Sequence, residues 1–281
     1  MVSSKCNISC RHCYLSFDGE RTPEDTLRLT KMLKKRNYEV LIAGREILLN
    51  LGYLKSYEAA EQKYILTNGL LIQKNPNIAG LIADYGLKEV QISIHFGIEG
   101  YLKSAPAEIA KEAIKICRNR GLETCVLTTI NNKNFRKALE MCDESYELGA
   151  DKIMFMRHIS LGAAEINCAN DDLKESDKAE FFDLIDLSKA KYRLSELEIR
   201  MSGNFGPKKG SEGEILAAEN RYCPAIQDLF VITPDNRVYG CPFLLKYPLG
   251  ELRGDKIVIN GDLFGGRRDV CLAEEMKRSG T

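Results

Sequence analysis

From the start of the chain to about residue 200, short β-branched runs alternate with amphipathic helical stretches, and nothing else in the sequence limits the fold as strongly. The strand-like runs are EVLIA (39–43), KYILT (63–67), EVQISIH (89–95), TCVLTTI (124–130), KIMFM (152–156) and LEIRMS (197–202). Between them lie helical patterns such as PEDTLRLTKMLKKR, PNIAGLIADYG, APAEIAKEAIKICRNRG and FRKALEMCDESYELGA. Regular alternation of this kind builds an α/β fold around a parallel sheet, either a barrel or a doubly wound sheet. The first helix is signed by Thr22 as N-cap, Pro23 at its first position and Asp25 behind them. Later helices are expected to stop at Gly86, Gly121 and Gly149.

Both architectures place their ligands at the carboxyl ends of the strands. Polar residues gather at those ends here. EVLIA runs into Gly44 and Glu46, KYILT into Thr67-Asn68-Gly69, and EVQISIH carries Ser93 and His95. TCVLTTI is followed by Asn131, Asn132 and Asn134, and KIMFM by Arg157 and His158. Five successive units ending this way are expected to line one mouth.

Ahead of the first helix, CNISCRHC puts three of the chain's ten cysteines, Cys6, Cys10 and Cys13, on one short loop. Structural zinc sites draw four ligands from paired units, and no second Cys or His pair follows at that distance. Three thiolates on a short loop suit a [4Fe–4S] cluster whose fourth iron stays open. His12 lies between two of the cysteines and is not expected to bind the same metal.

Lys+Arg and Asp+Glu balance at 40 each, so no basic field points to nucleic acid. The N-terminus lacks an apolar signal core, and no apolar run reaches membrane-spanning length, so a cytoplasmic protein is expected. Ten cysteines without a secretory signal favour metal ligation over disulfides. The stretch GNFGPKKGSEGE (203–214) reads as a mobile loop or linker. Beyond it, LFVITPDNRVYGC reads as a hairpin turning at Pro-Asp-Asn, bracketed by Cys223 and Cys241, with Cys271 in a short helical stretch. This divides the chain into residues 1–203 and 204–281. Cys117, Cys125 and Cys142 fall in helix or strand patterns and are expected in the core.

The sequence resembles the radical S-adenosylmethionine (SAM) superfamily, in particular members with a C-terminal SPASM or shortened twitch extension. The resemblance rests on CNISCRHC, AGREIL, ILTNG, QISIHFG and CPAIQDLFVITPDNRVYGCP, in that order. It implies a partial (β/α)6 TIM-like barrel followed by a small β-hairpin and helix domain of twitch type. It assigns Cys6, Cys10 and Cys13 to the cluster whose free iron chelates SAM, and His12 to the neighbourhood of the adenine. It gives Gly44 and Glu46 to the methionine amino group, with Asn68 beside them in ILTNG, and Ser93 and Asn131 to the ribose or carboxylate. Arg157 would pair with the SAM carboxylate. Arg45 and Ile47 depart from the family's usual glycine and proline. Cys223, Cys241 and Cys271 would hold an auxiliary [4Fe–4S] cluster, with Asn236 at the usual turn glycine. Cys168, in the loop beyond KIMFM, is a candidate hydrogen-atom donor.

The implied enzyme reductively cleaves SAM to a 5′-deoxyadenosyl radical, which abstracts a hydrogen atom from a substrate carbon. Its expected substrate is a ribosomally made peptide, cross-linked, epimerised or oxidised, and its expected reductant is a flavodoxin or ferredoxin. A small-molecule dehydrogenase acting on an alcohol or aminocyclitol is the alternative. From another class comes a non-catalytic iron–sulfur electron carrier or sensor. Neither a nucleic acid nor a membrane is an expected partner.

Overall fold

The structure is a computed structural model, and it describes residues 1–98, 107–195, 197–205, 223, 225–226, 228–260 and 271–279. Five of the six expected strands form one parallel sheet: β1 (Tyr64–Thr67), β2 (Glu89–Ser93), β3 (Glu123–Ile130), β4 (Lys152–Arg157) and β5 (Glu198–Met201), paired in chain order. Stepwise parallel order with helical crossovers is the wall of an open, TIM-like partial barrel. Apolar residues of the strands and their crossover helices merge into one large core, with Ile65, Val90, Ile92, Val126, Ile153 and Phe155 fully buried in it.

EVLIA (39–43) is the exception, since it joins no ladder. A side chain takes the place of backbone pairing: Ile42 N donates to Gln62 Oε1 at 2.6 Å, and Gln62 Nε2 donates to Tyr64 O at 2.9 Å. On its other flank the first residues of the chain bond to it, Val2 N to Ala43 O and Arg45 N to Ser3 O. The wall therefore continues past β1, held by individual bonds rather than by a strand.

The helices follow the expected start and stop signals. In α1 (Pro23–Lys35) the Thr22 hydroxyl accepts from Asp25 N. Two short helices, α2 (Leu54–Ala60) and α3 (Leu70–Lys74), precede α4 (Asn77–Asp84), α5 (Ala107–Arg118) and α6 (Ala138–Glu147). Gly86, Gly121 and Gly149 follow the last three with positive φ. After β4 come α7 (Ala163–Asn167) and the 17-residue α8 (Glu175–Lys191). The inward stripe of α8 is Lys178, Phe181, Phe182, Ile185 and Ser188. Lys178 pairs with Glu175, and Ser188 back-bonds to Leu184 O, so two polar residues sit on a buried face.

Beyond residue 223 the sequence reading needs correction. The expected hairpin is there, as β6 (Val231–Ile232) and β7 (Arg237–Tyr239), with Asn236 at φ +66° in the turn. A second hairpin, β8 (Gly250–Arg253) and β9 (Lys256–Ile259), extends it into a four-stranded antiparallel sheet. The helix α9 (Leu272–Ser279) starts directly after Cys271. Most of GNFGPKKGSEGE lies outside the described residues. Arg21 ties the sheet to the barrel, donating to Thr233 O and to Asn236 Oδ1. No described helix is long and apolar enough to cross a membrane.

Candidate active site

The carboxyl ends of β1 to β4 open on a cavity of about 360 Å³, floored by the cysteine loop. Cys6, Cys10 and Cys13 all line it, together with His12, Gly44, Asn68, Ser93 and Arg157. The expected mouth is therefore present, with most of its expected residues.

The cysteine loop is held from two sides by backbones that come unusually close. At Gly44 an added Cβ would meet Ser3 O at 3.0 Å and Ile47 Cδ1 at 2.9 Å. At Gly162, with φ +59°, it would meet Tyr14 O at 2.6 Å and Cys13 O at 2.9 Å. Only glycine fits there, because both the torsion and the contact exclude a side chain. The next residue uses that proximity, since Ala163 N donates to Cys13 O at 2.9 Å. Arg45, the departure from the family's glycine, adds a third clamp through Nη2 to Leu15 O at 2.6 Å.

The donor set can be tested for a cluster on its own chemistry. Burial pushes the Cys10 thiol up to about 12, the neighbouring Cys13 and Cys6 push further in the same direction, and Arg45 opposes them. Burial also raises Cys6, with Glu46 and Cys13 adding to it. Thiols whose ionisation is hindered in this way ionise when a shared cation neutralises them. Among the described residues no three Cys, His, Asp or Glu side chains converge on a single-ion site. An iron–sulfur cube asks for something else, one thiolate for each of three irons. The residues fit that group.

Glu46 has a different place from the expected one. It is 1 % exposed and is not among the residues lining the cavity. It accepts from Thr67 Oγ1 at 2.9 Å, Asn68 N at 2.9 Å and Leu48 N at 3.2 Å. Burial raises its pKa, and the bonds from Asn68, Thr67 and Leu48 oppose the shift. Glu46 thus joins the end of β1 to the Gly44 loop. Asn68 extends the join, with Nδ2 to Asn7 Oδ1 at 2.8 Å, from the end of β1 to the cysteine loop.

Two other expected residues also lie off the cavity. Asn131 is fully buried, and its Oδ1 accepts from Lys133 N to close the turn after β3. Asn134 braces the same turn through Phe96 O and Thr129 O. Cys168 is 3 % exposed, shares a small apolar cluster with Ile98 and Ala164, and is not among the residues lining the cavity. Cys117, Cys125 and Cys142 are core residues, as expected.

All three histidines line the cavity. His95 Nδ1 accepts from Thr129 N, which leaves the proton on its Nε2. That nitrogen stands 3.2 Å from His12 Nε2, so His95 donates and His12 carries its own proton on Nδ1. Burial holds His95 down to about 4, and burial with His95 and His158 nearby holds His12 down to about 2. Both are neutral at physiological pH. His158 was legible only as a strand-end histidine, its partner Asp172 and Gly162 carried no motif, and Arg45 was legible only as a departure within AGREIL.

Cys223, Cys241 and Cys271 come together in a second place. Cys271 is part of an apolar cluster with Ile159, Ile226 and Leu272, and Cys223 and Cys241 pack against it. Burial pushes the Cys241 thiol up to about 12, with Cys271 and Cys223 adding to the shift. Phe243 reaches from this region into the main cavity and packs on Tyr14 of the cysteine loop, with ring centroids 4.4 Å apart.

The family model described as the radical SAM superfamily matches residues 1–144, half of the chain, and the chain belongs to that superfamily. No curated protein matches it. Among solved structures it is similar to SuiB of Streptococcus suis bound to S-adenosylmethionine, at 16 % identity and a TM-score of 0.66, with 85 % of this chain and 58 % of SuiB covered. SuiB bound to the precursor peptide SuiA gives 15 % and 0.68, covering 90 % and 61 %. The enzyme anSMEcpe with bound AdoMet gives 19 % and 0.65, covering 89 % and 75 %. At these identities the likeness is one of fold. The chain spans about three fifths of the length of SuiB.

Proposed function

We propose that this protein cleaves SAM reductively and uses the resulting 5′-deoxyadenosyl radical to modify a ribosomally made peptide by cross-linking, epimerisation or oxidation. The observation that carries this reading is the cavity at the ends of β1–β4, walled by Cys6, Cys10 and Cys13. A [4Fe–4S] cluster bound there would supply the electron that splits the sulfonium. Cys6, Cys10 and Cys13 would hold three of its irons. Gly44 leaves room for backbone carbonyls to approach the methionine amino group, and Glu46 fixes that loop from behind. Arg157, 5 % exposed and bonded to Asn204 O, offers guanidinium N–H groups suited to a carboxylate. Ser93 and Asn68 add polar edges, and His12 flanks the nucleoside. Enclosure keeps water and other quenchers from a radical.

Residues 204–281 form the twitch-type extension in this reading, with Cys223, Cys241 and Cys271 holding an auxiliary [4Fe–4S] cluster. A flavodoxin- or ferredoxin-type protein supplies electrons, and the protein works in the cytoplasm as an oxidoreductase. The peptide substrate is supported by the bound peptides of similar folds, SuiA on SuiB and Cp18Cys on anSMEcpe. The test is anaerobic incubation of reconstituted, reduced protein with SAM and candidate peptides, followed by mass analysis. A peptide product with 5′-deoxyadenosine supports the reading. Conversion of an aminocyclitol alcohol with all peptides untouched assigns the small-molecule dehydrogenase instead.

A further inference from the structure

His158 follows β4 and lines the cavity, yet its side chain is only 1 % exposed. Its Nδ1 lies 3.0 Å from Asp172 Oδ1. Burial alone would raise the Asp172 pKa, but hydrogen bonds from His158, Lys277 and Ser160 hold it well below the usual carboxylate range. Ser160 contributes both its N–H and its hydroxyl at 2.8 Å, and Lys277 of α9 pairs with the other oxygen. An ionised carboxylate only accepts, so Nδ1 carries a proton, and in the neutral ring Nε2 keeps its lone pair. That Nε2 is buried and has no hydrogen-bond partner among the described residues. A buried acceptor left unpaired is costly, so the cavity suits an occupant that donates to it.

His158 also stands close enough to His12 to influence it, and His12 flanks the nucleoside in the reading above. We infer that His158 Nε2 accepts a hydrogen bond from the nucleoside end of SAM, from its adenine amino group or a ribose hydroxyl. Asp172 is the positioning residue that sets the tautomer. Lys277 extends the chain of contacts from α9 to the cavity. This inference rests on the proposed SAM site.

The test uses anaerobically reconstituted holoenzyme and SAM as the probe. His158→Leu and Asp172→Asn should each weaken SAM binding about tenfold or more, the scale of one buried hydrogen bond, with iron content unchanged. Asp172→Asn is isosteric; its carbonyl stays with Ser160 N–H, so Nδ1 loses the charged acceptor that holds its proton. Asp172→Glu keeps the carboxylate and should restore most of the affinity. The sequence holds three histidines, so ¹⁵N-histidine spectra resolve each ring. They should show His158 protonated on Nδ1 in the wild type and a larger share of the Nε2–H form in Asp172→Asn, a shift that a merely structural pair would not produce. S-inosylhomocysteine and S-adenosylhomocysteine identify the donor: loss of the His158 dependence with the inosine compound assigns the amino group, and its persistence assigns the ribose. Unchanged SAM affinity in both variants overturns the inference, as does loss of iron, which would make His158 a cluster ligand. Failure of the wild type to bind SAM would instead remove the proposed site itself.

Discussion

The two cysteine triplets of this chain solve the same problem in opposite ways. Cys6, Cys10 and Cys13 come from one loop, clamped by backbone contacts at Gly44 and Gly162 and by the Arg45 guanidinium. Cys223, Cys241 and Cys271 come from three separate places and meet through apolar packing around Ile159, Ile226 and Leu272. The first set is close together in sequence and is then clamped by the barrel. The second exists only when the antiparallel sheet and α9 have docked.

The largest test of that contrast removes the first set. Cys6, Cys10 and Cys13 changed together to alanine should abolish 5′-deoxyadenosine formation and lose about four irons, one cluster, per chain. Iron analysis and product assay check both. The second set should behave differently. Wild-type protein is expected to hold about eight irons, and Cys223→Ala with Cys241→Ala should leave about four, with SAM cleavage retained. A wild type that holds only about four makes the C-terminal triplet a packing feature.

A smaller effect probes the clamp behind the first set. Glu46→Gln removes one of two accepting oxygens shared by Thr67, Asn68 and Leu48. It should destabilise the protein by about 1–3 kcal/mol, the cost of leaving a buried donor unpaired. Thermal unfolding measures it. The Glu46 pKa is raised by burial, so its contribution is full below the unfolded carboxyl value and is lost as pH rises through the folded one. The cost of Glu46→Gln should therefore be larger at acidic than at neutral pH.

The smallest effect belongs to the turn of the C-terminal sheet. Asn236 has φ +66°, and its Oδ1 accepts from Arg21. Asn236→Ala should cost about 1 kcal/mol, because alanine resists the left-handed region. Asn236→Gly relieves that strain and loses only an exposed hydrogen bond, so it should stay within about 0.5 kcal/mol of wild type. Denaturant midpoints distinguish the two.

What was legible in the sequence follows the same division between local and assembled features. Strands β1 to β5, the caps of α1 and the cysteine loop each announce themselves within a few residues. EVLIA reads as a strand because its side chains suit one, but the Gln62 amide occupies its ladder partners. The helix α8 hides because Lys178 and Ser188 interrupt its buried stripe. Glu46 and Asn131 are the right residue types at the right strand ends, yet their side chains turn back to bond their own loops. The pairing of His158 with Asp172 spans the whole loop that includes α7, and no spacing rule signals it.

The most direct test of the account titrates SAM into anaerobically reconstituted, reduced protein and follows the paramagnetic resonance spectrum of the cluster. SAM should perturb the spectrum of the wild type and of the Cys223→Ala, Cys241→Ala variant alike, because the proposed open iron belongs to the loop of Cys6, Cys10 and Cys13. A spectrum that ignores SAM in the wild type, or that responds only while Cys223 and Cys241 are intact, would contradict it.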